Sequence, residues 1–129
     1  MPPSVAVSAR ATRDRARLKL AFALLAFEKH WSTAFVDVAY DPYLSALFTR
    51  AWLKGGKPVP RREAYAWMAP MSEQTAMKYL NRALAADYLL EVENPDDRRS
   101  RLVAMTPRLQ TMMNQLMDAA LAEVGGAGV

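Results

Sequence analysis

The chain of 129 residues has no cysteine and a single histidine, His30. Without cysteine there is no disulfide, no thiolate nucleophile and no sulfur-ligated zinc site, and one imidazole cannot build a histidine-rich metal cage. Glycine is scarce, at five residues, and no glycine-rich phosphate loop occurs. No carboxylate pair lies embedded in apolar sequence, where burial would tune one of them for proton transfer. Neither a catalytic residue, a metal nor a cofactor is therefore expected. A membrane-length apolar run is also lacking. Lys19 to Phe27 reads KLAFALLAF, well short of the roughly 20 residues a bilayer requires. Arg13, Arg15 and Arg17 precede it as in a signal peptide, but it runs into Glu28-Lys29-His30-Trp31 without a small-residue cleavage site. No membrane partner is expected, and a cytoplasmic location is, with which the missing cysteine is compatible.

What is present suits one modest domain: 52% of residues are hydrophobic and 23% charged. Seventeen Lys and Arg oppose thirteen Asp and Glu, a formal net charge of +4. That balance permits an anionic partner without naming one, so the placement of the charges decides more than their sum.

Residues 1–12 combine Pro, Ser and Ala without a sustained period and are expected to be a loose tail. A helical pattern follows over 13–40. Leu20, Leu24, Phe27, Trp31 and Phe35 recur every three or four residues on one face, and Leu18, Phe22 and Leu25 add a second stripe. A helix apolar over most of its circumference must be buried on several sides, and in so short a chain a second copy is the economical cover. This predicts a homodimer. Asp41-Pro42 caps and starts a helix that Gly55-Gly56 ends. An extended link to Pro60, with room for a short strand, leads into a short helix over Arg61 to Met68. Ala69-Pro70-Met71 breaks that helix, and Ser72 caps the next one. The period then changes. Tyr88 to Glu93 and Arg101 to Thr106 read as strands around the polar turn Asn94 to Ser100. Thr106-Pro107 opens a last helix over 107–124, and a glycine-rich tail occupies 125–129. The predicted fold class is mainly α with a small β-hairpin, a winged helix-turn-helix over 41–106 flanked by N- and C-terminal dimerisation helices.

In a helix-turn-helix the second helix enters the major groove of DNA and shows its outward residues to base edges. Those candidates are Ser72, Gln74, Thr75, Lys78, Asn81 and Arg82, although any soluble helix has a polar outer face. Gln matches adenine, Arg or Lys matches guanine or phosphate, and Thr meets bases or the thymine methyl. The hairpin adds Arg98, Arg99 and Arg101 at its tip, residue types suited to a narrow minor groove. Asp97 is expected to brace Arg99 within the turn, which leaves Arg98 and Arg101 as the freer contacts. Arg61 and Arg62 are candidates for phosphate contacts, which set affinity and position without reading sequence.

The segment Ser72 to Pro107, SEQTAMKYLNRALAADYLLEVENPDDRRSRLVAMTP, resembles the core of the multiple antibiotic resistance regulator (MarR) family. Its run Asn94-Pro95-Asp96-Asp97-Arg98-Arg99-Ser100-Arg101, followed by a strand closing in Met105-Thr106-Pro107, is similar to that family's wing. The resemblance implies a homodimer on an inverted-repeat operator in double-stranded DNA, with recognition helices in successive major grooves and wings in the minor groove. It also implies a transcriptional regulator, most often a repressor, relieved by a small aromatic ligand. Two departures stand out. Asp87 takes the place where the family often has a glycine of positive φ, and the chain after Thr106 offers one helix where many members have a longer pair.

Trp31, Trp52, Trp67, Tyr40, Tyr43 and Tyr65 could line a cavity for such a ligand or serve as ordinary core. A different class also stays open, a winged helix that binds protein rather than DNA. From Arg61 to Arg108 eight basic residues meet seven acidic ones, a balance that favours that alternative. The outward face of the second helix, with Lys78 and Arg82 against Glu73 alone, favours DNA.

Overall fold

The computed structural model describes residues 5–126. They form five helices and three short strands: α1 (Val5–Ala34), α2 (Pro42–Leu53), β1 (Val59–Pro60), α3 (Arg61–Ala66), α4 (Glu73–Ala85), β2 (Leu89–Glu93), β3 (Arg101–Met105) and α5 (Pro107–Gly126). The chain divides into two compact units. One spans Tyr40–Asn114, and the other gathers the residues up to Ala39 with those from Gln115 onward.

In the Tyr40–Asn114 unit each element begins where a local signal places it. Asp41 caps α2 by accepting from the backbone N–H groups of Tyr43 (2.8 Å) and Leu44 (3.2 Å), with Pro42 in the first turn. Gly55 and Gly56, at φ 64° and 86°, turn the chain out of α2 through a region that side chains with a Cβ enter only at a cost. Ser72 Oγ accepts from the Thr75 N–H and so caps α4. At its other end Asp87 adopts φ 63°, and the N–H groups of Asp87 and Tyr88 reach back to the carbonyls of Leu84 and Ala83. This paired closure is the one glycine usually completes, and Asp is among the residues that tolerate it. Thr106 then does double service. Its buried hydroxyl accepts from the Leu109 N–H (3.1 Å) to cap α5, and it lies 2.7 Å from the Asp87 carbonyl, to which it donates.

The sheet order is β1-β3-β2, antiparallel throughout, with Leu89 opposite Met105 and Glu93 opposite Arg101. Pro60 sits on the edge strand β1, where its missing N–H costs no ladder bond. The core under the sheet comprises Leu47, Phe48, Met68, Leu80 and Val103, all fully buried, with the Phe48 and Tyr88 rings 5.1 Å apart. Each such side chain withdraws apolar surface worth about 1.5–3 kcal/mol from water.

In the other unit α1 starts at Val5, so residues 5–12 are helical rather than a loose tail, and residues 1–4 lie outside the described residues. Apolar period is absent there, but alanine-rich sequence free of Gly and Pro lets an established helix propagate toward its N-terminus. The helix ends at Ala34, ahead of the expected residue 40, and Trp31 Nε1 donates to the Val38 carbonyl at 2.9 Å across the turn that follows. At the far end Gly125 and Gly126 belong to α5 rather than to a tail, and residues 127–129 lie outside the described residues.

The apolar stripe of α1 is buried only in part. Trp31 and Phe35 are fully buried and stack at 4.4 Å, whereas Leu20 and Leu24 are 61% and 63% exposed. Leu18, Phe22 and Leu25 are exposed as well. Glu123 of α5 joins Lys29 (3.2 Å) and His30 (2.6 Å) of α1. Hydrogen bonds from His30 and then Lys29 hold the Glu123 carboxyl below its ordinary pKa. Among the described residues no helix is long and apolar enough to cross a membrane.

Candidate nucleic-acid interface

The outward side of α4 follows from its burial pattern. Ala76, Leu80 and Ala83 face inward, so Gln74, Lys78 and Arg82 project on the opposite side, with Thr75 and Asn81 flanking them. All five are exposed, and Gln74 and Lys78 have no side-chain partner among the described residues. Ser72 and Thr75 are partly engaged with each other, since Ser72 Oγ donates to Thr75 Oγ1 at 3.0 Å. Ser72 thus serves first as the helix cap.

Arg82 lies over an aromatic ring that a carboxylate holds in place. Its guanidinium lies 5.8 Å from the centre of the Tyr79 ring. The Tyr79 hydroxyl donates to Asp41 Oδ2 at 2.6 Å, while Asp41 Oδ1 caps α2. One carboxylate therefore ties the start of α2 to the exposed flank of α4. Burial, the largest single influence on Asp41, works to raise its pKa. The Tyr79 hydroxyl, the two backbone donors and the Arg82 charge together outweigh it and hold the carboxyl below its ordinary value. The same bond, together with burial, holds the Tyr79 phenol above its ordinary 10.0. Each partner stands 38 residues from the other, so no local sequence signal announces the pair.

The hairpin tip is built on backbone bonds. Asn94 Oδ1 accepts from the Asp96 N–H, and Asp97 Oδ1 accepts from the Arg99 N–H, both at 3.0 Å. The expected bracing of Arg99 by Asp97 thus takes a corrected form. The carboxylate holds the Arg99 backbone, because a two-residue Asx turn brings the N–H rather than the long side chain within reach. Arg98 lies 4.0 Å from Glu93, with both side chains largely in water, a pair of little energetic weight. Arg99 and Arg101 have no ion-pair partner among the described residues. Arg62 shares that condition, and all three line an open cleft of about 810 Å³ beside Glu73 and Met77 of α4.

Arg61 departs from its expected role. Its guanidinium bonds Glu91 Oε1 and Asn81 Oδ1, each at 2.8 Å, and the Tyr65 hydroxyl at 3.1 Å. It is an internal tie between α3, α4 and β2 instead of a free cation for phosphate, and it engages Asn81 as well. The part Glu91 plays comes only from a pairing across 30 residues.

Three of the aromatic residues weighed as cavity walls make contacts of their own. Trp52 Nε1 donates to Asn114 at 2.9 Å, Tyr65 meets Arg61, and Tyr43 sets its ring edge-on to Tyr79 at 6.4 Å. The void lined by Trp67, Leu47 and Val59 measures about 10 Å³, room for about one water at most.

No family model matches the sequence, and no curated protein does so either. Solved structures do match. The transcriptional regulator Tm0710 of Thermotoga maritima aligns with a TM-score of 0.70 at 14% identity, covering 91% of this chain and 78% of its own. RV1404 of Mycobacterium tuberculosis aligns at 0.66 with 17% identity, covering 98% and 80%. A mutant of MarR from E. coli complexed with operator DNA aligns at 0.61 with 10% identity, covering 95% and 83%. A mainly helical chain carrying a three-stranded antiparallel sheet, with Lys78 and Arg82 on one exposed helix face and three arginines at one hairpin tip, thus has the winged-helix fold of the MarR-type transcriptional regulators.

Proposed function

We propose that the protein is a DNA-binding transcriptional regulator of the MarR type that acts as a homodimer and reads an inverted-repeat operator as a repressor. The observation that carries this reading is the outward face of α4. Gln74, Lys78 and Arg82 stand exposed on it, and the wing supplies Arg99 and Arg101, whose side chains have no ion-pair partner among the described residues. Amide and cationic side chains on a helix of a helix-turn-helix are the types that contact base edges, and wing arginines suit the minor groove. A structural neighbour with operator DNA bound supports the same use of the fold. The homodimer is supported by Leu18, Leu20, Phe22, Leu24 and Leu25 of α1 and Leu121 of α5, large apolar side chains left in water within one chain.

One observation favours a second reading, a protein-binding winged helix: the eight basic and seven acidic residues between Arg61 and Arg108 leave that stretch nearly neutral. Selection from a random duplex pool at two salt concentrations separates the two. The expected result is an enriched inverted repeat with half-sites about one helical turn apart. Weak binding that enriches nothing and vanishes at moderate salt would instead assign the unit to a protein partner. Small aromatic acids added to the same assay test for ligand relief, which would read as release of the enriched duplex.

A further inference from the structure

Two side-chain amides stand on the exposed side of α4, and their surroundings differ. Gln74 has no partner among the described residues. Asn81 faces the Arg61 guanidinium at 2.8 Å. A guanidinium only donates, so the Asn81 atom turned toward it is the carbonyl oxygen, and the NH₂ group points away. Arg61 is itself held from three directions. Its side chain is 27% exposed, and Glu91 and Tyr65 fix the plane of its fork.

An asparagine that reads adenine needs both ends of its amide, the oxygen for the adenine N6 amino group and the nitrogen for N7. In Asn81 one of the oxygen's two lone pairs accepts from this cation, which turns the carbonyl end toward Arg61 and leaves the NH₂ donors as the end turned away from it. Donors complement the acceptor edges of guanine (O6 and N7) and thymine (O4). Gln74 keeps both ends and can still address adenine.

We infer that Arg61 is a positioning residue for base reading: by holding the Asn81 oxygen it makes Asn81 a donor, so that the base facing Asn81 is guanine or thymine and adenine is disfavoured. This inference rests on the DNA-reading function proposed above. It assigns to Arg61 a part in specificity without any contact to DNA.

The test is duplex selection and sequencing with the wild type, Arg61→Met, Asn81→Ala, their double variant and Asn81→Asp. The wild type is expected to prefer guanine or thymine at one position of each half-site, and Asn81→Ala to lose about tenfold discrimination there. Arg61→Met is expected to move the same position toward adenine and to leave the others unchanged. Adding it to Asn81→Ala then changes no base preference further. Asn81→Asp retains the tie as an ion pair, so it folds even if Arg61→Met does not. It presents an acceptor, which should draw the position toward cytosine, whose N4 donates. Two results would overturn the inference while leaving the regulator intact. One is an Asn81→Ala variant with every base preference unchanged. The other is an Arg61→Met variant weakened equally on all sequences with a smaller salt slope, the mark of a phosphate contact. A wild type that enriches no sequence would remove the DNA-reading function itself, and this inference with it.

Discussion

Between Tyr40 and Asn114, α2 and α4 turn Leu47, Phe48 and Leu80 inward against a sheet that contributes Val103, and of the large apolar side chains described there Leu53 alone is more than half exposed. Along α1 the reverse holds, for every side chain from Ser8 to Phe22 is exposed and Leu24 and Leu25 remain in water beyond them. The two regions are built from similar helical sequence, so hydrophobic content alone does not separate them. The difference lies in partners. The winged unit has enough elements of its own to close around its apolar faces, whereas one long helix and the end of another cannot close around theirs. Apolar surface of the second kind is what an interaction partner covers.

The comparison can be broken most severely from inside the winged unit. Phe48→Ala is expected to cost about 3–5 kcal/mol, since it empties a fully buried ring site against Tyr88. Chemical denaturation followed by circular dichroism measures it. A loss under about 1 kcal/mol would mean that the unit is loosely packed there and resembles the terminal helices after all.

A second substitution probes the other region. Leu24→Asp is expected to weaken dimerisation roughly thirtyfold or more, as for a residue central to an interface, and to change the stability of the isolated chain by under about 0.5 kcal/mol. Sedimentation velocity across a concentration series reads the first quantity and thermal melting of dilute protein the second. A wild type that stays monomeric at all concentrations would leave the apolar stripe without the cover assigned to it.

The smallest effect sharpens the account of the winged unit. Because the Asp41 pKa lies below its ordinary value, its carboxylate contributes stability at every pH above about 3.9, the unfolded value. That contribution is lost as pH falls through the lowered folded value. Tyr79, raised above 10.0, gives the opposite sign: its contribution is present below about 10 and lost as pH rises through the raised value. Asp41→Asn keeps a competent cap and removes the titration. The stability difference between wild type and variant is therefore expected to be about 1 kcal/mol or less at neutral pH and to shrink further in acid. A difference that stays constant down to pH of about 2 would detach the acid sensitivity from this bond.

Much of the fold was legible in the sequence because its signals act within a few residues. Asp41-Pro42, Ser72 and Thr106-Pro107 start helices by offering acceptors to the N–H groups two or three positions ahead. Asp87 turns the chain at positive φ, and β2 and β3 are the two strand-forming runs on either side of the polar turn Asn94 to Ser100. The outward set on α4 was readable for the same reason, because a helix displays its faces at a fixed period. The start of α1 was missed, since propensity carried the helix past the end of the apolar pattern.

By itself, then, the sequence determined which segments are helix and strand, where the helices after α1 begin, and which side chains of α4 point away from the core. The tertiary structure alone decided that Arg61 ties Asn81 to Glu91, that Asp41 reaches Tyr79, that Asp97 holds a backbone rather than a guanidinium, and that Leu20 and Leu24 stay in water. Caps and periods are set by neighbours along the chain. An ion pair across 30 residues, or the cover on a helix face, depends on which surfaces meet once all the elements are in place.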